Sequence, residues 1–600
     1  MASLDSLATE ILLVILIEIP STQDLRSLRL VSRSLDSVVG PFLFSSLAFD
    51  IHKGSISQGT SLIQYLAKNP KVAFAGWVRS LVITNLDPSY EMSRSMSGYV
   101  KIQDDVLKNA RDQILGSLGH AIRALVNVTS VRWKISTREP KWTHVAVPEA
   151  LSTLPHLSEI VIEPTHVFFF SPLPFDKLSG IRSLSITASF NSRNENVWRD
   201  LLDPLIAAIR RSPEQLESLH LDVMIVGKET IRLGEFLGKC GQPQRNEDEE
   251  SNKTPLSATK LGLRQLTLEH VDPSLTTDDL QHLQSLTVVE LLTASAQPAS
   301  TSNFFSVLLL SNHPICLSKL SVHTVDRTLL SYLNSYSGLE SLKISSCPSP
   351  IRATTRSSSD DGEADKLARL FYTNVLPKHA PTLVELELAV TKESAWSFSK
   401  ENVNKFRLCG RLRRLAVGIN ASDIGSAGEK EDITNTLLTT TLLMQDLHHL
   451  TILIAYPNPK PGSSLSGATL TSKHIILTKL YENIGELRHH IRHRGDTFTM
   501  SDPEFFTAME FSPPRYQRKI YCPGGHTFDL VKTYTSDDET TGEQTEVEEN
   551  DPDQNEEANE EETEVQHLEL RYQEIHSHPR LMNYSTINQI RLIPLLPQYT

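Results

Sequence analysis

No apolar run in this 600-residue chain approaches the ~18–20 residues needed to cross a bilayer as a helix, so no membrane span is expected. Cysteine is scarce and scattered. Cys240, Cys316, Cys347, Cys409 and Cys522 are odd in number and form no C-x-x-C pair, which argues against a disulfide scaffold or a zinc finger and for a reducing compartment, cytoplasm and/or nucleus. Also missing are G-x-G-x-x-G, a Walker loop, H-E-x-x-H and G-x-S-x-G. No cofactor, metal or catalytic residue is therefore expected. Gly227-Lys228-Glu229 lacks the upstream glycine and the Ser/Thr of a phosphate loop. His489 and His493 are i, i+4 neighbours, but Arg488, Arg492 and Arg494 interleave them and no Cys or carboxylate completes a metal site. Cys522 and His526 have a ligand-like interval without a second pair.

A basic surplus is absent too. The formal charge is −14, yet the tract 536–564 alone holds 15 Asp and Glu and no Lys or Arg, leaving 57 acids against 58 bases elsewhere. A neutral body lacks the positive surface that nucleic-acid binding needs. The acidic tract reads as a solvated disordered linker, with an electrostatic contact to basic partners as the functional alternative.

What the chain does have begins at residue 11 with ILLVILIEIP, whose first nine residues are apolar except Glu18. The preceding residues carry Asp5 and Glu10 and no Lys or Arg, which does not fit a secretory signal. The segment reads as a helix apolar all round, which must be buried all round. Pro20 stops it, and Ser21-Thr22-Gln23-Asp24 has the form of a capping box opening a second helix. There Leu25, Leu28 and Val31 share one face. A third helix is expected from Ser34 to Val39, ended by Gly40-Pro41. Three helices in about 40 residues cannot enclose a sizeable core alone. The surplus apolar surface predicts a partner, either the rest of the chain or another protein.

The stretch LATEILLVILIEIPSTQDLRSLRLVSRSL resembles an F-box, the three-helix module that docks a substrate receptor onto the Skp-type adaptor of a cullin–RING ubiquitin ligase. Leu7, Glu10, Ile11, Leu16, Asp24, Leu25, Val31, Ser32 and Arg33 match the family pattern in order and spacing, while Ala8 replaces its proline and Leu35 its usual aromatic. The resemblance implies adaptor contacts by these nine residues together with Ile15 and Leu28.

Beyond residue 70 the pattern Leu-x-x-Leu-x-Leu recurs, as VRSLVI from Val78, LSEIVI from Leu157, IRSLSI from Ile181 and LESLHL from Leu216. LRQLTL from Leu263, LQSLTV from Leu283, LSKLSV from Leu317, LESLKI from Leu339, LVELEL from Leu383, LRRLAV from Leu412 and LHHLTI from Leu447 continue it. Each ends in period-2 alternation, which reads as a short half-buried strand. Helical stripes lie between some of them: Val197, Leu201, Leu205 and Ile209; Leu367, Leu370 and Phe371; Ile433 and Leu437. A lone helix–strand unit cannot bury both parts, so units must stack. The region resembles a divergent array of leucine-rich repeats, with a trailing Cys at Cys347 and a trailing Asn at Asn420. From Ile160 to Leu450 the fourth position recurs every 20 to 47 residues, so loops must be inserted, with candidates starting at Gly241, Pro348 and Pro459. A mixed α/β domain with leucine-rich strands but no solenoid stays open.

The expected fold is thus α/β: an N-terminal three-helix F-box (1–49), an irregular leucine-rich-repeat solenoid with insertions (50–456), a segment of unassigned fold (457–535), the disordered acidic tract (536–564) and a C-terminal segment (565–600). The resemblances together imply a non-catalytic substrate receptor of an SCF-type ubiquitin ligase, with a Skp-type adaptor, through it a cullin, and a protein substrate as partners. Neither nucleic acid nor membrane is expected. An interaction scaffold whose F-box-like segment engages no ligase is the competing reading.

Overall fold

A computed structural model describes residues 7–19, 21–51, 56–86, 104–136, 139–164, 172–190, 197–225, 230–242, 259–292, 298–347, 361–390, 392–424, 432–455 except 445 and 448, and 504–508. The chain divides into units Met1–Gly524 and Gly525–Thr600, and every described residue belongs to the first. The loop from Pro459, the two histidine-bearing motifs beyond it, the acidic tract and the C-terminal segment all lie outside the described residues.

The α/β expectation holds. Helices α1 (Thr9–Ile17), α2 (Thr22–Arg29) and α3 (Arg33–Leu43) come first. Strands β1 (Ser46–Asp50), β2 (Ser80–Asn85), β3 (Ser130–Ile135), β4 (Glu159–Pro164), β5 (Ser183–Phe190), β6 (Ser218–Ile225) and β7 (Gln265–Glu269) follow. Then come β8 (Val288–Leu291), β9 (Lys319–Val322), β10 (Ser341–Ile344), β11 (Glu385–Leu388), β12 (Arg414–Asn420), β13 (His449–Ala455) and β14 (Glu504–Ala508). All fourteen form one sheet in strict chain order, every neighbouring pair parallel. Most connections carry an α-helix or a 3-10 turn. No helix among the described residues is long and apolar enough to cross a membrane.

One hydrogen-bond device repeats at the start of strands β2 to β12. The Ser45 carbonyl accepts the N–H groups of both Arg79 and Ser80, that of Arg79 accepts Thr129 and Ser130, and that of Thr129 accepts Ser158 and Glu159. The same fork continues without interruption to Val384, which accepts Arg413 and Arg414 at 2.8 and 3.2 Å. A carbonyl has two lone pairs, and the fork fills both.

Three apolar ladders follow from this register. The first runs from Leu81 through Val131, Ile160, Leu184, Leu219, Leu266 and Val289 to Leu450, each buried and each opposite its counterpart on the next strand. The residue two further on, such as Ile83, Trp133 or Leu221, forms the second, and the residue three before, such as Val78, Leu216 or Leu412, forms the third.

Ten of the eleven predicted strands stand in the expected frame. The exception is LQSLTV, where Val289 rather than Leu286 pairs with Leu266. The unit is Leu286-x-x-Val289-x-Leu291, displaced by three residues because Leu283 and Leu286 mimic the spacing. Three strands escaped the leucine pattern: β1, β3 and β14, the last in the segment of unassigned fold. In β1 it reads Phe44-x-x-Leu47-x-Phe49 and in β3 Val128-x-x-Val131-x-Trp133, apolar at every anchor but with Phe, Val or Trp in place of leucine. The expected boundary after residue 49 falls inside β1, which pairs with β2.

The helical stripes are partly interrupted. Val197, Leu201, Leu205 and Ile209 are all buried, but Trp198–Leu202 is a π turn before the α-helix Asp203–Arg210. Phe371–Val375 is another, before Leu376–His379. Pro204 and Pro377 follow these turns. A proline ring collides with the carbonyl four residues back, and the wider π turn accommodates it. Leu370 is exposed, a correction to its place in the buried stripe. Part of the insertion expected from Pro348 is also corrected, since 361–365 opens the helix Asp361–Leu370. Its Glu363 pairs with Arg327 at 2.6 Å. Asn420 accepts from the Ser394 N–H at 3.3 Å and donates to Asp423, so it ties its turn to the preceding unit.

Burying histidines makes the array acid-sensitive. His379 takes the Leu339 N–H on Nδ1 and donates from Nε2 to the Leu333 carbonyl at 2.9 Å, which requires the neutral ring. Leu261 donates likewise to Nδ1 of His282. Desolvation lowers the pKa of His379, His282 and His144, and that of His449 to about 4. Unfolded histidine takes up a proton near pH ~6.5. The stability these neutral rings contribute is complete above that value and declines as pH falls from it toward the folded values. We predict a melting temperature that falls between pH 7 and 5, with a shallower fall in His379→Asn, whose amide oxygen replaces Nδ1 as acceptor. Gly262→Ala would press a Cβ onto the Glu214 carbonyl oxygen, and a loss of about 1–3 kcal/mol is expected in urea unfolding.

Candidate functional site

Two surfaces stand out, and the first is the N-terminal helical unit. Its small core is Leu16, Leu25 and Val39, with Ile19, Leu28, Val38 and Leu43 packed against it. Ser21 caps α2 by accepting the Asp24 N–H, and Ser32 caps α3 by accepting the Leu35 N–H. Ala8 occupies the N-cap of α1 and offers no side-chain cap, while Leu35 is buried near the start of α3. The third helix does not end at Gly40-Pro41 but continues to Leu43. Pro41 forfeits one bond to the Ser37 carbonyl. Gly40 serves close packing instead, since a Cβ there would lie 2.7 Å from the Trp77 ring. Phe44 stacks on that ring at 6.2 Å. Arg29 pairs with Asp36 at 2.8 Å and lies over the Phe44 ring.

Helix α1 is not buried all round. Leu12 and Leu16 point inward, whereas Ile11, Val14 and Ile17 are about half exposed at 51%, 50% and 53%, and Leu13 is exposed as well. Leu30 and Val31, in the turn before α3, are 81% and 70% exposed. The eleven predicted site residues therefore separate by role. Leu16 and Leu25 hold the unit together; Leu7, Ile15, Leu28 and Ser32 are half-buried; Ile11 and Val31 face outward, and Glu10, Asp24 and Arg33 are exposed too. Sequence reasoning left out Leu13, Val14, Ile17 and Leu30. The all-round apolarity of α1 was the signal that could have found the first three.

The second surface is the face of the sheet opposite the apolar ladders. Strands β4 to β8 contain Glu159, Glu163, Asp222, Glu269 and Glu290 and no Lys or Arg. Glu163 is served from β3 by Arg132 at 3.5 Å and Lys134 at 3.7 Å, and Glu290 accepts from Thr267. On β10 to β12 three of the four charged side chains are joined. Glu385 meets Lys343 at 3.0 Å and Arg414 at 3.8 Å and accepts from Ser341. Burial would raise the Glu385 carboxyl, but these cations and hydrogen bonds outweigh it and hold the pKa low. Among the described residues one group has a metal-ligand composition, Asp222, Glu269 and His270, with His270 Nδ1 2.9 Å from Asp222 Oδ1. No protein-family model matches the chain, and no curated protein matches it.

The helical unit thus offers a satisfied core beneath an exposed apolar surface, and the sheet a polar face of alternating charge zones. Leu25→Ala is expected to cost about 2–5 kcal/mol of local stability and to accelerate amide exchange throughout α1 to α3. Val31→Ser should stay within about 0.5 kcal/mol and leave that exchange unchanged.

Proposed function

We propose that this chain is the substrate-recognition subunit of an SCF-type cullin–RING ubiquitin ligase. Its N-terminal helices dock on a Skp-type adaptor and its repeats hold a protein target. The observation that carries this reading is the apolar surface of Ile11, Val14, Ile17, Leu30 and Val31, left exposed by a unit whose own core is complete. Exposed apolar surface marks interaction sites, and two of the residues matched to the F-box pattern, Ile11 and Val31, are among these exposed side chains. The chain-ordered parallel sheet, with three apolar ladders repeating in every unit, supports reading 50–456 as a divergent leucine-rich-repeat array. Its polar strand face is then the target surface. The role is positional: holding a target lysine near a charged conjugating enzyme raises effective concentration, in the cytoplasm or nucleus where that ligase works.

A scaffold engaging no ligase is favoured by one feature, the uncapped start of α1 at Ala8, where the family's proline would fix the first turn.

Co-purification of the full chain with a Skp-type adaptor distinguishes these readings. Val31→Asp and Ile11→Asp place charge on the exposed surface without touching the core, so both are expected to abolish capture while the circular dichroism spectrum is unchanged. Capture unaffected by both, or absent from the folded wild-type chain, rules against the receptor reading and leaves the scaffold.

A further inference from the structure

We propose that Asp222, Glu269 and His270 form a binding site for a divalent metal of the zinc class on the exposed face of the sheet. Asp222 on β6 pairs in register with Glu269, the last residue of β7, so both carboxylates stand on the same face. His270 follows at once. In continued strand geometry it would point to the opposite face. Instead it has φ +56°, the one non-glycine among the described residues with a positive φ, and its ring returns to Asp222. One ligand atom from each of the three side chains lies within 4.8 Å of the others. Ligand atoms held about 2.0–2.2 Å from a zinc ion lie closer together than that, a gap that side-chain rotation closes.

Charge supports the assignment. Two carboxylates share this corner, and no Lys or Arg stands on β4 to β8. The Glu269 carboxylate makes no hydrogen bond or ion pair with any described residue. A dication relieves the repulsion between such neighbours directly. His220, two residues before Asp222 on the same face, has an Nε2 without a hydrogen-bond partner among the described residues but lies outside this group of three. Imidazole with carboxylates selects borderline ions such as zinc or cobalt, whereas magnesium and calcium prefer oxygen alone. The bound ion would tie β6 to the turn after β7. The inference draws nothing from the adaptor reading.

The test is calorimetric titration of the full, chelator-stripped chain with Zn2+, paralleled by the visible spectrum of bound Co2+. Two variants accompany it. His270→Gly removes the ligand and tolerates the left-handed backbone, and Asp222→Asn removes a charge. Losing even an outer-shell partner weakens metal sites by about 10–100-fold. We expect one tight equivalent in the wild type, at least about tenfold weaker in each variant, with the Co2+ spectrum altered in both and no displacement by excess Mg2+. Absence of binding, equal affinity in wild type and variants, loss in only one variant, or displacement by Mg2+ would each overturn the site.

Discussion

The array depends on the forked hydrogen bond at the start of strands β2 to β12, where one carbonyl accepts two consecutive N–H groups from the next unit. From Ser45 to Val384 these carbonyls form an unbroken column. Because the fork fixes where each strand begins relative to the last, it also fixes which residues stand opposite one another. Connections of very different length can then be accommodated, since whatever lies between two strands must return to the same fork. The three apolar ladders are a consequence. A shift of one residue would turn each ladder toward solvent, and their burial holds the register that the forks set.

The N-terminal unit is built on a different balance. Its core of Leu16, Leu25 and Val39 is small, and its stability is shared with the first units of the array through Gly40, Phe44 and Trp77. This anchoring keeps the helices ordered while leaving Ile11, Val14, Ile17, Leu30 and Val31 uncovered. An isolated three-helix unit with that much apolar surface would collapse or aggregate; one fixed to a long sheet can present it.

Along the polar face of the sheet the charges differ by zone. On β10 to β12 the carboxylate of Glu385 is enclosed by Lys343, Arg414 and Ser341, a satisfied network that rigidifies the surface. On β6 and β7 the acids gather without Lys or Arg, and the left-handed turn at His270 adds an imidazole to them. One face therefore holds both a closed electrostatic network and an open one.

Much of this was legible in the sequence. Leucine spacing located ten strands in frame, because each anchor of the motif occupies one rung of a buried ladder and burial selects for apolar side chains at fixed intervals. The same logic failed where the anchors were Phe, Val or Trp, as in β1 and β3, and where an extra leucine mimicked the spacing before β8. The surplus of apolar residues on α1 was also readable from composition. Which of its residues turn inward was not: helical periodicity ranks faces by apolarity, and α1 is apolar on all of them. Only packing against α2 and α3 chose Leu12 and Leu16 for the core and left Ile11, Val14 and Ile17 outside. The cluster at Asp222, Glu269 and His270 was equally invisible, since 222 and 269 lie 47 positions apart and meet only through the strand pairing. The sequence by itself determined the unit and its repetition, because those follow from local spacing. The tertiary structure decided the surfaces, because they depend on what each unit happens to pack against.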